Sequence, residues 1–189
     1  MQVSSTYLHH AVALIRDFLG VEYSPALVHA QSFTAPLVDP RNRPGWTRDS
    51  VGRPARTMIA TTDFGSRMGL YDFTDNQWHN QLRARRMVTR GERGEIGDNQ
   101  VIRLLDDTTI VASPPERRQL GYDLDLDGFD TDHISLGDHS LYRNPCSGLR
   151  LNDDEIAVCD LLLAMDAWSK GRGPEPYPLA QCCQDHQLG

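Results

Sequence analysis

The stretch Gly69-Leu-Tyr-Asp-Phe-Thr-Asp-Asn-Gln-Trp-His-Asn80, with its continuation to Ile96, decides how this chain folds. Its start favours a β-strand, because apolar and aromatic residues recur loosely through Met68, Leu70 and Phe73. Two acids, a tryptophan and a histidine follow directly. So many polar groups next to a strand indicate a structural or functional role for them. The segment then reaches Arg90-Gly-Glu-Arg-Gly-Glu-Ile96, where two glycines bracket a tight turn and predict a β-hairpin.

Similar turn signals predict further strands on both sides of this stretch. We expect a hairpin from Arg56–Phe64 and Arg67–Phe73 that turns at Gly65, and another from Asn99–Asp106 and Thr108–Ala112. Three more strands are predicted at Ala26–Leu37, where Pro36 closes the strand, at Glu116–Leu124 and at Ser140–Pro145. The sheet therefore has six or more strands, several of them antiparallel through short turns.

Helices are predicted at the two ends of the chain. A first helix starts near Tyr7 with Ser4, Ser5 or Thr6 as its cap, and it ends at Gly20. A second starts at Asn152, where Glu155 completes a capping box. Its predicted buried face is formed by Ile156, Cys159, Leu163 and Trp168. A last helix covers Leu179–Leu188, and Asp39–Pro54 is predicted as a long loop exposing Trp46.

Length, composition and charge narrow the classes of protein. A chain of 189 residues is expected to form one domain, 1–189, with no membrane span and no signal peptide, which favours a cytoplasmic location. The net charge of −7 argues against a nucleic-acid partner. The four cysteines lack Cys-x-x-Cys spacing and are expected to be reduced thiols.

No metal site is predicted from the sequence. Asp123-Leu-Asp-Leu-Asp-Gly128 matches the first half of a calcium-binding loop, but the twelfth position holds Ile134 in place of the required glutamate. The spacing of His133 and His139 matches no zinc pattern. An acidic loop remains the simplest interpretation.

The chain also resembles the second domain of the Gfo/Idh/MocA family of NAD(P)-dependent oxidoreductases. The motifs that carry the resemblance are Tyr71-Asp-Phe-Thr-Asp75, Arg90-Gly-Glu-Arg-Gly-Glu-Ile96, Tyr142-Arg-Asn-Pro145, Leu151-Asn-Asp-Asp-Glu-Ile-Ala157 and Gln184-Asp-His186. The resemblance implies an α+β fold: a mixed, largely antiparallel sheet of six or more strands, with helices packed on one face. In the family, this domain binds the substrate and forms a homodimer through the open face of its sheet.

The resemblance also singles out His10 as the catalytic candidate. The corresponding family helix has a histidine six residues before an Arg-x-x-Leu-Gly ending, and the same spacing separates His10 from Arg16. An imidazole suits the removal of a hydroxyl proton near neutral pH. Many members have an aspartate one turn upstream, where this chain has Thr6. Two alternatives stay open: His10 is an ordinary helix histidine, or His9 is the one in the site.

Asp75, Trp78 and His79 follow the strand that opens the decisive stretch, and they are the candidate substrate-binding residues. The alternative is structural, with Asp75 capping a short turn and Trp78 filling the core.

The cofactor is expected to bind elsewhere. The sequence has no Gly-x-Gly-x-x-Gly turn between a strand and a helix, so the family's N-terminal Rossmann domain is expected to be absent from this chain. NAD or NADP would then serve the full-length enzyme, with none bound by this chain, which is predicted to be inactive alone. The predicted function is the substrate-binding domain of an oxidoreductase acting on a sugar, a polyol or a related small hydroxyl compound. The alternative is a non-enzymatic binding or scaffold domain of the same fold.

Overall fold

The computed structural model describes residues 1–4, 6–42, 44–75, 86–120 and 130–189. These residues form two compact units, which are described separately. Unit 1 contains Met1–Asp98 and Leu179–Gly189, and unit 2 contains Asn99–Pro178. Whether the chain acts as the single predicted domain stays a prediction.

Thirteen strands and three helices lie in the described residues. In chain order they are β1 (Gln2–Val3), α1 (Leu8–Leu19), β2 (Leu27–Leu37), β3 (Arg41–Asn42), β4 (Gly45–Trp46), β5 (Arg53–Asp63), β6 (Met68–Thr74), β7 (Met87–Gly91), β8 (Gly94–Ile96), β9 (Val101–Leu104), β10 (Ile110–Ser113), β11 (Glu116–Leu120), β12 (Asp130–Leu136), β13 (His139–Arg143), α2 (Asp153–Ser169) and α3 (Leu179–Leu188).

Unit 1 is built on a mixed sheet in the order β2-β5-β6-β1-β7-β8. The pairs β2–β5, β5–β6 and β7–β8 are antiparallel hairpins, whereas β1 lies parallel to β6 and antiparallel to β7. The predicted α+β class with a mixed, mostly antiparallel sheet is therefore confirmed. The hairpins predicted at Arg56–Phe73 and at Arg90–Ile96 are also confirmed, with Gly65 at a φ of 86° in the first turn.

Helix α1 packs on one face of this sheet, against β1 and β6. Its Ala11 and Ile15 join Val3, Tyr71 and Phe73 in the core of unit 1. Helix α3 in turn packs against α1. As predicted, α1 ends at Gly20, which has a φ of 58° and donates its N–H to the carbonyls of the last turn.

The first two long strands form one extended hairpin, in which β2 pairs with β5 over its whole length from Leu27 to Leu37. The predicted strand Ala26–Leu37 is confirmed as β2, which ends at Leu37, one residue after Pro36. Pro36 lies opposite Pro54. The predicted loop is wrong in part, since a short ladder of β3 and β4 occupies its middle. Trp46 is exposed, as expected.

Unit 2 contains two small β structures and α2. β9 and β10 form the predicted hairpin, which turns where the Asp106 carboxylate accepts the N–H groups of Thr108 and Thr109. β11, β12 and β13 form a three-stranded antiparallel sheet. Cys146 and Cys159 are joined by a disulfide, so the prediction of reduced thiols is wrong for this pair, whereas Cys182 and Cys183 are free.

Helix α2 begins as predicted. Asn152 accepts the N–H of Glu155, and the Glu155 carboxylate accepts the N–H of Asn152, which completes the capping box. Its buried face is narrower than predicted, because Ile156 is buried but Leu163 and Trp168 are about half exposed. Within the described ranges, no helix has the length and apolar character needed to cross a bilayer.

Candidate functional site

The first turn of α1 is held in place by the sheet. Leu8 adopts a left-handed φ of 25° and donates its backbone N–H to the phenol oxygen of Tyr71, 3.1 Å away. Tyr7 occupies the N-cap without any side-chain cap, so the predicted cap by Ser4 or Thr6 is wrong, while Ser5 lies outside the described residues. Ser4 instead donates its hydroxyl proton to a carboxylate on β6.

Three imidazoles meet beside this turn, and we call His9, His10 and His186 the histidine cluster. The ring centroids of His9 and His10 are 4.2 Å apart with an interplanar angle of 46°. The ring of His9 also stacks on that of His186 from α3, with centroids 4.7 Å apart and planes at 22°. His10 is exposed to solvent, so the catalytic candidate is accessible to a ligand.

A buried ion pair fixes α3 beside α1. Arg16 of α1 binds the Asp185 carboxylate, and both side chains are almost completely buried. Arg16 also donates through Nε to the carbonyl of Glu22, 2.9 Å away, so its guanidinium is held from two sides. Since Asp185 directly precedes His186, this pair sets the position at which His186 meets His9.

The environment of the cluster keeps His9 neutral over a wider pH range than a free histidine. Partial burial lowers the pKa of His9 most, and the neighbouring imidazoles of His10 and His186 lower it further. The Asp185 carboxylate opposes them and raises the pKa. The net direction is downward, which favours the unprotonated imidazole at neutral pH.

Tyr71 connects the start of α1 to the strand that carries Asp75. Burial raises the pKa of Tyr71 most, and nearby Tyr7 and Asp75 raise it further, whereas the N–H of Leu8 and the charge of Arg56 lower it. Its phenol is thus kept protonated and fixes the first turn of the helix. The ring of Tyr7 packs edge-on against Phe73, with centroids 5.6 Å apart.

Among the predicted substrate-binding residues, only Asp75 lies in the described part of the chain. Its carboxylate is 3.8 Å from Nε of Arg56, and its backbone N–H donates to the Arg56 carbonyl, 2.8 Å away. Trp78 and His79 fall in 76–85, outside the described residues. Tyr71 links the regions of His10 and Asp75, because it accepts the N–H of Leu8 in the first turn of α1 and the charge of Asp75 raises its pKa.

Sequence reasoning missed Tyr71, Asp185 and His186 as parts of this site. Tyr71 was assigned only to a strand and a family motif, and the partnership of Arg16 with Asp185 spans 169 residues. No local sequence pattern predicts a contact between residues so far apart. The available signals were that both are charged residues on predicted helices and that Asp185 belongs to the family motif Gln184-Asp-His186.

The face of the sheet turned away from α1 forms a second feature. Residues that alternate with the core-facing Met58 and Ala60 lie there, and they include Phe33 and Ile59, which are about half exposed. A shallow trough of about 530 Å³ runs between β2 and β5 and is bordered by His29 and other residues of the two strands. We call this surface the open face.

No group of three or more His, Cys, Asp or Glu side chains in the described ranges is arranged to hold a metal ion. Comparisons with known protein families, with curated proteins and with solved structures found no match for this chain.

Proposed function

We propose that this chain is the substrate-binding and oligomerisation domain of a cytoplasmic NAD(P)-dependent oxidoreductase of the Gfo/Idh/MocA type. Its substrate would be a sugar, a polyol or a related small hydroxyl compound. The observation that supports the proposal best is the accessible imidazole of His10 on a helix fixed rigidly to a mixed sheet. The resemblance of the sequence motifs adds the class of reaction.

In this function His10 would accept the proton of the substrate hydroxyl, and a bound nicotinamide would supply the acceptor for the hydride. A neutral imidazole is needed for that role, and a general base contributes roughly 10²–10⁴-fold to such a step. The nucleotide would be held by a separate dinucleotide-binding domain, since this sequence carries no glycine-rich turn of that kind.

The homodimer would form through the open face. Four large apolar side chains lie on it and are each about half exposed: Leu27, Phe33, Ile59 and Met68. Exposed apolar residues that share one face indicate a contact surface, whereas single scattered ones do not. A second copy of the same face would cover these side chains symmetrically. A small-molecule substrate and a second copy of this chain are therefore the partners we propose.

The proposal is tested in the enzyme formed when this chain is joined to its nucleotide-binding domain. Replacing His10 by Ala should reduce turnover of the polyol substrate by about a hundredfold or more, measured by the absorbance of the reduced nicotinamide. The control is His139→Ala, because His139 is an exposed histidine of unit 2. Unchanged turnover in His10→Ala would remove His10 from the mechanism.

A non-enzymatic binding or scaffold domain is the second candidate. Thr6 stands where many relatives of the resembled family have an aspartate, and the open face needs no chemistry to act as a contact surface. If this function is correct, the protein binds glucose, sorbitol or myo-inositol, but it does not reduce the nicotinamide when one of these compounds is added. Turnover of any of these compounds would eliminate it.

A further inference from the structure

Helix α3 contacts the first turn of α1 at the residues next to the catalytic candidate. The ring of His186 lies on the ring of His9, and the C-terminal Gly189 approaches the backbone of His9, where an added Cβ would lie 3.3 Å from its nitrogen. Arg16 and Asp185 hold the two helices in this register from within the core. The contact is therefore fixed by a buried anchor as well as by surface packing.

His9 contacts two other imidazoles. Its ring stacks on that of His186, with centroids 4.7 Å apart, and the tilted ring of His10 has its centroid 4.2 Å from that of His9. A side chain in contact with two rings has few free rotamers, and it limits the space that its neighbour can explore. The ring of His9 therefore restricts the positions that the exposed imidazole of His10 can adopt.

The charged and titratable groups around the cluster come from each element packed there. α1 contributes His10 and also Arg16, whose charge is balanced by Asp185 of α3. α3 contributes His186, and the sheet contributes Tyr71, whose hydroxyl holds the N–H of Leu8. Asp185 is the only one of these groups that favours a protonated His9.

We infer that His186 and His9 are positioning residues for His10, so that α3 is a component of the candidate active site. The inference rests on the proposed role of His10 as proton acceptor. No carboxylate stands one turn before His10 to orient its ring, because that position is Thr6. In this chain the stacked imidazoles supply the missing constraint, with His186 fixing His9 and His9 limiting His10.

The inference is tested first on the chain itself, without any activity measurement. NMR of ¹³C-labelled histidine rings follows the titration of His9, and three-bond couplings report the χ1 rotamers of His10. In His186→Ala we expect the titration midpoint of His9 to rise and the His10 couplings to move towards rotamer averaging. His186→Phe keeps the stacked ring but removes the charge, so the His10 couplings should stay near those of the unchanged protein.

The control for this experiment is His139→Ala, which should alter neither readout because His139 is not among the ring contacts or charged neighbours of His9. His186 is exposed, so its replacement is expected to leave the fold intact. Unchanged His10 couplings together with an unchanged His9 titration in His186→Ala would overturn the inference. A general loss of structure is checked by the Tyr71 and Leu8 resonances, which report the sheet side of the same turn.

Kinetics separate this inference from the proposed function. In the complete enzyme, His186→Ala should lower kcat by roughly tenfold or more with little change in KM, and His186→Phe should recover most of the loss. If His10→Ala leaves turnover unchanged, the proposed function fails, whereas the NMR result on ring positioning is unaffected. If His10→Ala is inactive but His186→Ala matches the unchanged enzyme in kcat, the positioning role fails alone.

Discussion

Gly69 lies where α1 approaches the sheet most closely. A Cβ added at this glycine would come 2.5 Å from Cγ2 of Ile15 and would also collide with the hydroxyl of Thr62. Ile15 is almost completely buried, and Thr62 is buried on the neighbouring strand. The absence of a side chain at Gly69 is therefore what allows the helix to pack directly on β6.

Gly69→Ala should lower the free energy of unfolding by about 1–3 kcal/mol, because Ile15 or the helix must move to make room. Urea denaturation followed by circular dichroism measures the change. Gly91→Ala is the matched control in a strand, since its nearest contact would be 3.9 Å from the new Cβ. Equal stability of the two variants would contradict the close-packing argument.

Thr62 offers a second prediction at the same place. Its buried hydroxyl has no hydrogen-bond partner in the described part of the chain. Thr62→Val keeps the shape and removes the unsatisfied hydroxyl, so the free energy of unfolding should rise by about 1 kcal/mol. A lower stability in Thr62→Val would show that the hydroxyl does have a partner in solution.

At the level of single residues, the helix predicted to start near Tyr7 and to end at Gly20 is confirmed, because apolar spacing is a local pattern. His10 lies exposed in its first turn, and its catalytic role stays a prediction. Tyr71 was missed because its role depends on a bond to a strained backbone N–H across 63 residues. Side-chain partners this far apart in sequence leave no periodic signal.

The three helices are held by different means, and these explain which of their features could be predicted. The cap of α2 is local, so a four-residue pattern was enough to predict it. The start of α1 is set by Tyr71, and Ser4 is engaged by Asp72, so tertiary contacts override the local capping signal. The exposed apolar side chains of α2 were missed because apolar residues occur on all sides of that helix, so the spacing of its apolar residues defines the buried face only weakly.

Asn152→Ala should destabilise unit 2 by about 1 kcal/mol, because the first turn of α2 loses a satisfied N–H. Combining it with Glu155→Ala in a double-mutant cycle measures the coupling across the capping box. We expect the two losses to be less than additive, since each variant alone already breaks the reciprocal bonds. Strict additivity would contradict the box.

The contact between α1 and α3 should weaken in acid. The pKa of His9 is lowered in the folded protein, so the unfolded chain binds more protons as the pH falls below about 6.5. The contribution of His9 to stability is therefore full above that pH and is lost as the pH falls through the lowered pKa. Hydrogen exchange of the α3 amides at pH 7.5 and at pH 5.5 measures this, and His9→Phe should remove most of the difference. Equal protection at both pH values would contradict the prediction.

The fold class followed from sequence because hairpins are local, and three of the five strand pairs in the main sheet of unit 1 are hairpins. β1 was not predicted, since two residues carry no alternation, yet it lies between β6 and β7 in the sheet order. The candidate site was predicted only in part, because Asp185 and His186 come from α3, far along the chain from α1. The roles of Trp78 and His79 stay predictions.

The open face leads to a prediction about the oligomeric state of the whole molecule. Phe33→Asp should convert the proposed dimer into a monomer, because a charge would be buried in the apolar contact. Sedimentation velocity at micromolar concentration measures the mass. Ile110→Asp, an exposed apolar strand residue of unit 2, should leave the dimer intact. A chain that is monomeric before any substitution would refute the sheet-to-sheet contact.

The pairing of Arg16 with Asp185 has a consequence for the order of events during protein synthesis. Arg16 leaves the ribosome early, but its carboxylate partner follows 169 residues later, after all of unit 2 has been made. Before α3 has been made, the guanidinium of Arg16 lacks the Asp185 carboxylate and stays hydrated, and the side of α1 that packs against α3 is uncovered. Docking of α3 is thus the step that completes unit 1, and a nascent chain stalled before residue 179 would present that uncovered helix to chaperones.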